Sequence, residues 1–155
     1  MSEQIFLRWP SGRQKVLSIS YDDGTATDLP VLEIMRSYGV KGTFHLSSGY
    51  HPDNGLVEPP KGLKDVRLPL TECVKNYDPA LCEVTGHSLT HAMLTQLPAP
   101  MIVQQFMQDR KILEQAFGRI VNGFSYPFGV TNPQVIEIAK SCGIAYARTG
   151  KSTKK

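Results

Sequence analysis

The chain has 155 residues, 41% of them hydrophobic and 20% charged, with 13 Gly and 11 Pro. That is the make-up of one soluble globular domain and excludes a fibre, a disordered tail or a membrane bundle. A chain of this length buries roughly 68 to 70% of its unfolded surface and supports a core without disulfides, yet it falls short of the about 250 residues of a closed eight-stranded α/β barrel.

The net charge of +3 is a tail effect: Lys151, Lys154 and Lys155 lie in the last five residues and leave a near-neutral body. No stripe of Lys and Arg is present to neutralise successive phosphates, so the sequence predicts no nucleic-acid partner. Cys73, Cys82 and Cys142 are an odd number with no close pair, which fits a reducing compartment and neither a disulfide framework nor a thiolate zinc knuckle. Residues 1–10 carry Glu3, Gln4 and Arg8 and lack a signal-peptide pattern, and no stretch reaches the roughly 18 apolar residues of a membrane span. The expectation is a cytoplasmic protein with no membrane partner, made of one domain over residues 1–150 and a basic tail over 151–155.

Val16 to Ser20 reads as a first strand ending in the turn Tyr21-Asp22-Asp23-Gly24. Thr27 or Asp28 is placed to cap a helix from Leu29 to Tyr38, which Gly39 stops, and Lys41 to Leu46 follows as a second strand. Strand, helix, strand is the pattern of a right-handed parallel crossover. Ser47 to Pro69 reads as a long loop of the kind kept for a function. A short helix is expected from Thr71 to Tyr77 and a third strand from Cys82 to Gly86. Pro98 and Pro100 open a long helix to Phe117, with Ile102, Phe106, Leu113 and Phe117 on its apolar face. Val121 to Tyr126 is a fourth strand, Pro133 to Cys142 a helix, and Ile144 to Ala147 a fifth strand. The fold class is therefore α/β, and in such folds reactive groups collect where strands end and loops begin.

Three strand ends carry unusual residues: Asp22-Asp23 after the first, His87-Ser88-Leu89-Thr90-His91 after the third, and Tyr126-Pro127-Phe128-Gly129 after the fourth. Each alone is commonplace. Together they fit one arrangement. On a helical turn, His87 and His91 share a face and present two imidazoles to one ion. Two histidines and one carboxylate make a three-ligand site with open positions, the form of a catalytic metal centre. If the chain turns at Gly24, one aspartate can bind metal while its neighbour takes a proton from the metal-bound water, the nucleophile for hydrolysis of an amide or ester. The tetrahedral oxyanion then needs a donor, and the backbone N–H of Phe128 is the candidate in the Tyr126-Pro127-Phe128 loop.

These motifs resemble the polysaccharide deacetylases of carbohydrate esterase family four, including its chitooligosaccharide deacetylase-like members. Ser20-Tyr21-Asp22-Asp23-Gly24 is similar to that family's Thr-Phe-Asp-Asp-Gly signature, and His87-Ser88-Leu89-Thr90-His91 to its His-Ser/Thr-x-x-His. Tyr38 to Phe44 also looks like the family's intervening stretch. The resemblance implies Asp22 as catalytic base, Asp23, His87 and His91 as metal ligands, and the loop after Tyr126 as part of the oxyanion site. It implies a distorted (β/α) barrel, here incomplete at its C-terminal end, and removal of N- or O-acetyl groups from a sugar, the N-acetyl reaction cleaving a carbon-nitrogen bond other than a peptide bond. The ion is expected to be zinc, with cobalt, nickel or manganese accepted by the same ligands.

Two departures stand out. Where the family's third motif begins with an arginine that orients the base, this chain has Ser125, so Asp22 must be held differently or less well. The family's general-acid histidine lies in segments beyond residue 155; of the other histidines here, His45 on the second strand reads as structural. Two further readings follow: a metal- or carbohydrate-binding remnant that no longer catalyses, and a metal-dependent hydrolase of small amides or imides. Exposed edges of an incomplete barrel would favour a homo-oligomer.

Overall fold

A computed structural model describes residues 10–54, 56 and 67–152. The first strand, β1, is Ser20–Asp22, so it holds the aspartate motif itself and not the run before it. Val16 and Leu17, whose β-rich composition suggests a strand, are instead 53% and 83% exposed and lie outside the paired segment. Helix α1 spans Asp28–Tyr38 and ends at Gly39 in the left-handed conformation, φ 60°. Thr27 makes no side-chain cap. The buried Asp28 carboxylate instead accepts a hydrogen bond from the Tyr77 hydroxyl at 2.5 Å.

Strand β2 is Gly42–Leu46 and leads to a single turn at Ser48–Tyr50. Of the expected long loop, residues 55 and 57–66 lie outside the described residues. Its described part caps α2, Leu70–Asn76: Asp53 accepts the Leu70 and Thr71 N–H groups at 2.6 and 2.9 Å, a helix start supplied from 17 residues upstream. Strand β3 is Cys82–Gly86, α3 Ala99–Phe117, and β4 Gly123–Ser125. Helix α4, Pro133–Ser141, is capped by Asn132, which accepts the Val135 N–H at 2.9 Å. Strand β5 is Tyr146–Arg148. The three cysteines are unpaired and buried.

The sheet order is β1-β2-β3-β4-β5, every neighbouring pair parallel. Each new strand joins the same edge, so right-handed crossovers place every helix on one face and the sheet curls instead of winding both ways. The result is a curled half-barrel, the expected incomplete, distorted (β/α) barrel. Under the helices the core falls into two clusters. Phe44, Leu46, Val84, Tyr77 and Leu113 make one, with Phe44 stacked on Tyr77 at 4.5 Å; Ile102, Phe106, Phe124, Tyr126 and Val135 make the other.

Strand alternation then dictates what the opposite face carries. Asp22 is in register with His45 and His45 with Thr85, while Ser125 is in register with Arg148. The face without helices thus bears a polar layer at the carboxyl end of the sheet.

Candidate metal and hydrolytic site

Asp22 is the last residue of β1, and Asp23 turns the chain with φ 81°. A non-glycine residue pays for that conformation, and here it turns the second carboxylate onto the same rim as the first. Arg67 holds it there, donating through Nε to the Asp23 carbonyl at 3.1 Å and through Nη2 to its carboxylate, while stacking 4.8 Å over the Tyr50 ring.

His87 and His91 do not sit on a helical turn. The segment after β3 is a loop in which Ser88 and His91 both have positive φ, 63° and 48°. Contacts to α3 hold it in place of helical periodicity. The Leu89 N–H donates to the Gln105 carbonyl at 3.2 Å, the Thr90 N–H to Gln105 Oε1 at 3.0 Å, and the His87 N–H to Asp109 Oδ2 at 3.0 Å. Sequence reasoning missed Gln105 and Asp109. Both lie on the stripe of α3 that carries Ile102, Phe106 and Leu113, and polar residues on an apolar stripe are the signal that marks them.

One ligand atom each from Asp23, His87 and His91 comes within 4.8 Å of the others. The Nε2 atoms of His87 and His91 lie 4.0 Å from Asp22 Oδ2 and Asp23 Oδ1 respectively. The donor set fits a divalent cation on an independent ground. His87 Nδ1 is 2.7 Å from the Ser125 carbonyl, which can only accept, so the proton is on Nδ1 and the Nε2 lone pair faces the cluster. Burial lowers the pKa of both imidazoles, so they are neutral lone-pair donors at neutral pH.

The loop after β4 divides. The Tyr126 ring and Pro127 are buried, Tyr126 in the second core cluster, while Phe128 is 60% exposed and packs edge-on against His91 at 4.7 Å. Phe128 therefore forms the apolar rim of the site and Tyr126 its footing. His45, beside Asp22 in register, pairs through Nδ1 with the Thr85 hydroxyl; burial is the main cause that lowers its pKa to about 4. Arg148, not anticipated from sequence, donates through Nη2 to both Asp22 oxygens at 2.5 Å and to the Ser125 hydroxyl at 2.9 Å.

A curled parallel sheet with a carboxylate and imidazole cluster at the carboxyl ends of its strands defines a barrel-type α/β protein with a candidate metal centre. The family model for polysaccharide deacetylase matches residues 10–147, and the chain belongs to that family. Among solved structures it is similar to a Streptococcus pyogenes deacetylase in complex with acetate, at TM-score 0.71 and 17% identity over 84% of this chain and 54% of that one. A de-N-acetylase from Aggregatibacter actinomycetemcomitans matches at TM-score 0.73 and 20% identity over 88% and 64%. A pseudoenzyme of carbohydrate esterase family four from Bacillus anthracis matches at TM-score 0.65 and 25% identity over 84% and 41%. The chain thus spans between 41% and 64% of the length of these structures. Comparison with curated protein sequences gives no match. Among the described residues no helix is long and apolar enough to cross a membrane.

Proposed function

We propose that the chain forms the hydrolytic site of a metal-dependent deacetylase that removes acetyl groups from N- or O-acetylated carbohydrate. The observation that carries this reading is the convergence of Asp23, His87 and His91 within 4.8 Å, with Asp22 beside them. These three residues would hold a divalent cation, zinc first and cobalt, nickel or manganese as alternatives. When bound, such an ion lowers the pKa of water and polarises the acyl carbonyl.

The chain's own residues supply the rest. Asp22, left outside the ligand set, accepts the proton of the attacking water. The Ser125 carbonyl keeps the His87 lone pair aimed inward. Phe128 gives the sugar an apolar edge to pack against and narrows access to His91. The test is acetate release from acetylated chito-oligosaccharides by metal-loaded protein, against the same protein after chelation. Release that survives removal of all metal would overturn the assignment.

One observation favours a second reading. A structural relative at 25% identity is described as a pseudoenzyme, and a mutant of it as having restored enzymatic activity, so this scaffold can persist with its chemistry lost. In that case the chain binds metal or oligosaccharide and releases no acetate. Both Asp22 and Asp23 are carboxylates here, which supports the catalytic reading.

A further inference from the structure

β1 and β5 are the two edges of the five-stranded sheet, yet a side chain joins them. Arg148, on β5, reaches Asp22, 126 residues earlier on β1, with one guanidinium nitrogen 2.5 Å from each carboxylate oxygen. That nitrogen also donates to the hydroxyl of Ser125, the register partner of Arg148 on β4. Ser125 works in two directions: its carbonyl takes the Nδ1 proton of His87, and its hydroxyl anchors the guanidinium. The backbone is tied in as well, since the Tyr126 N–H donates to the Arg148 carbonyl at 3.0 Å.

We propose that Arg148 is a positioning residue for Asp22: anchored by Ser125, it reaches from one edge strand to the other and fixes the carboxylate beside the metal ligand His87. This rests on the deacetylase reading for its catalytic meaning. The geometry also says why the contact is there. Arg148 and Asp22 are 44% and 34% exposed, and an ion pair so well solvated adds little to stability. Its consequence is orientation. Without it the Asp22 carboxylate is free to rotate about its side-chain bonds, and small misplacements of a reacting group lower turnover steeply.

The test compares wild type with Arg148→Ala, Arg148→Lys and Ser125→Ala for metal content, kcat and KM. Arg148→Ala is expected to keep its metal and its KM while kcat falls on the order of 10²-fold. Added guanidinium should restore part of that loss, and sodium chloride at equal ionic strength should not. Ser125→Ala, which keeps the carbonyl that orients His87, should show a smaller fall in kcat with metal retained. Arg148→Lys serves if the alanine variant fails to fold: all three contacts run through Nη2, and a lysine ammonium ends one bond short of that position and lacks the planar guanidinium, so metal is kept and kcat drops. Wild-type kcat in either Arg148 variant overturns the proposal, as does loss of metal in step with kcat. A second readout stands apart from activity. In the nitrogen NMR spectrum the Arg148 guanidinium should show slow rotation in wild type and fast rotation in Asp22→Asn. Absence of acetate release by wild type would sink the deacetylase reading alone, whereas a freely rotating Arg148 in wild type would overturn this proposal whatever the activity.

Discussion

The Asp109 carboxylate on α3 accepts the backbone N–H of His87 at 3.0 Å, and its other oxygen accepts both the N–H and the hydroxyl of Ser48 at 2.8 and 2.6 Å. Asp109 is 1% exposed, so a side chain inside the protein ties the start of one site loop to the end of β2. Asp109→Asn turns an amide donor toward one of its partners, either the Ser48 pair or the His87 N–H, which then keeps only the Leu46 carbonyl at 2.8 Å, at a cost of about 1 to 3 kcal/mol. Metal affinity should fall by roughly 10- to 100-fold, the usual consequence of disturbing the groups behind a ligand. Calorimetric metal titration of the folded variant checks this. Unchanged affinity would mean that His87 is held by the strand alone.

The two adjacent aspartates should separate by readout. Asp22→Asn is expected to retain stoichiometric metal and lose turnover, because a proton acceptor has been removed and not a ligand. Asp23→Ala, His87→Ala and His91→Ala should each lose both. Elemental analysis and acetate release on the same samples decide it, and an Asp22 variant that binds no metal would reverse the two roles.

Gly49 lies against the middle of the histidine loop. A Cβ there would sit 2.4 Å from the Leu89 carbonyl oxygen, which accepts the Gly49 N–H at 2.8 Å. Backbone cannot swing aside as a side chain can, so Gly49→Ala must displace the loop between His87 and His91. The expected cost is about 1 to 3 kcal/mol in unfolding free energy together with weaker metal binding. Urea unfolding and metal titration measure the two effects, and a variant unchanged in both would show that the loop yields freely.

Away from the site, burial raises the Asp28 carboxyl above its ordinary value of 3.8, against the hydrogen bond from Tyr77, which lowers it, and with a smaller upward push from Asp23. A group raised in the folded state contributes stability that is complete below pH 3.8 and is lost as pH climbs through its folded value. Asp28→Asn can keep the Tyr77 hydrogen bond and has no charge to bury. Its stability relative to wild type should therefore rise as pH increases above about 4 and then level off. Urea midpoints across that range test the sign, and a difference independent of pH would refute it.

Much of the architecture is legible in local sequence because its signals are local. Gly39 ends α1, the two prolines open α3, and β3 falls on Cys82–Gly86 as expected. β1 is misplaced because Val16 and Leu17 have the composition of a strand but are exposed and lie before the segment that pairs with β2. Asp23, His87 and His91 are picked out by motif and come together in space, but the reason first given for the histidine pair, a helical turn, is replaced by two left-handed residues pinned to α3. The supports were out of reach: Asp109 acts across 22 residues, Arg67 across 44 and Arg148 across 126, and no periodicity links such positions. Serine in place of arginine at position 125 implies that Asp22 is held differently or less well, and only the fold shows Arg148 arriving from β5.

Whether Asp23, His87 and His91 form a hydrolytic metal centre is decided by metal content paired with acetate release, for wild type and His87→Ala prepared side by side. Wild type is expected to hold about one divalent ion per chain and to release acetate from acetylated chito-oligosaccharide, both lost in the variant. A wild-type chain that holds no metal, or a His87→Ala chain that keeps both the ion and the release, would contradict it.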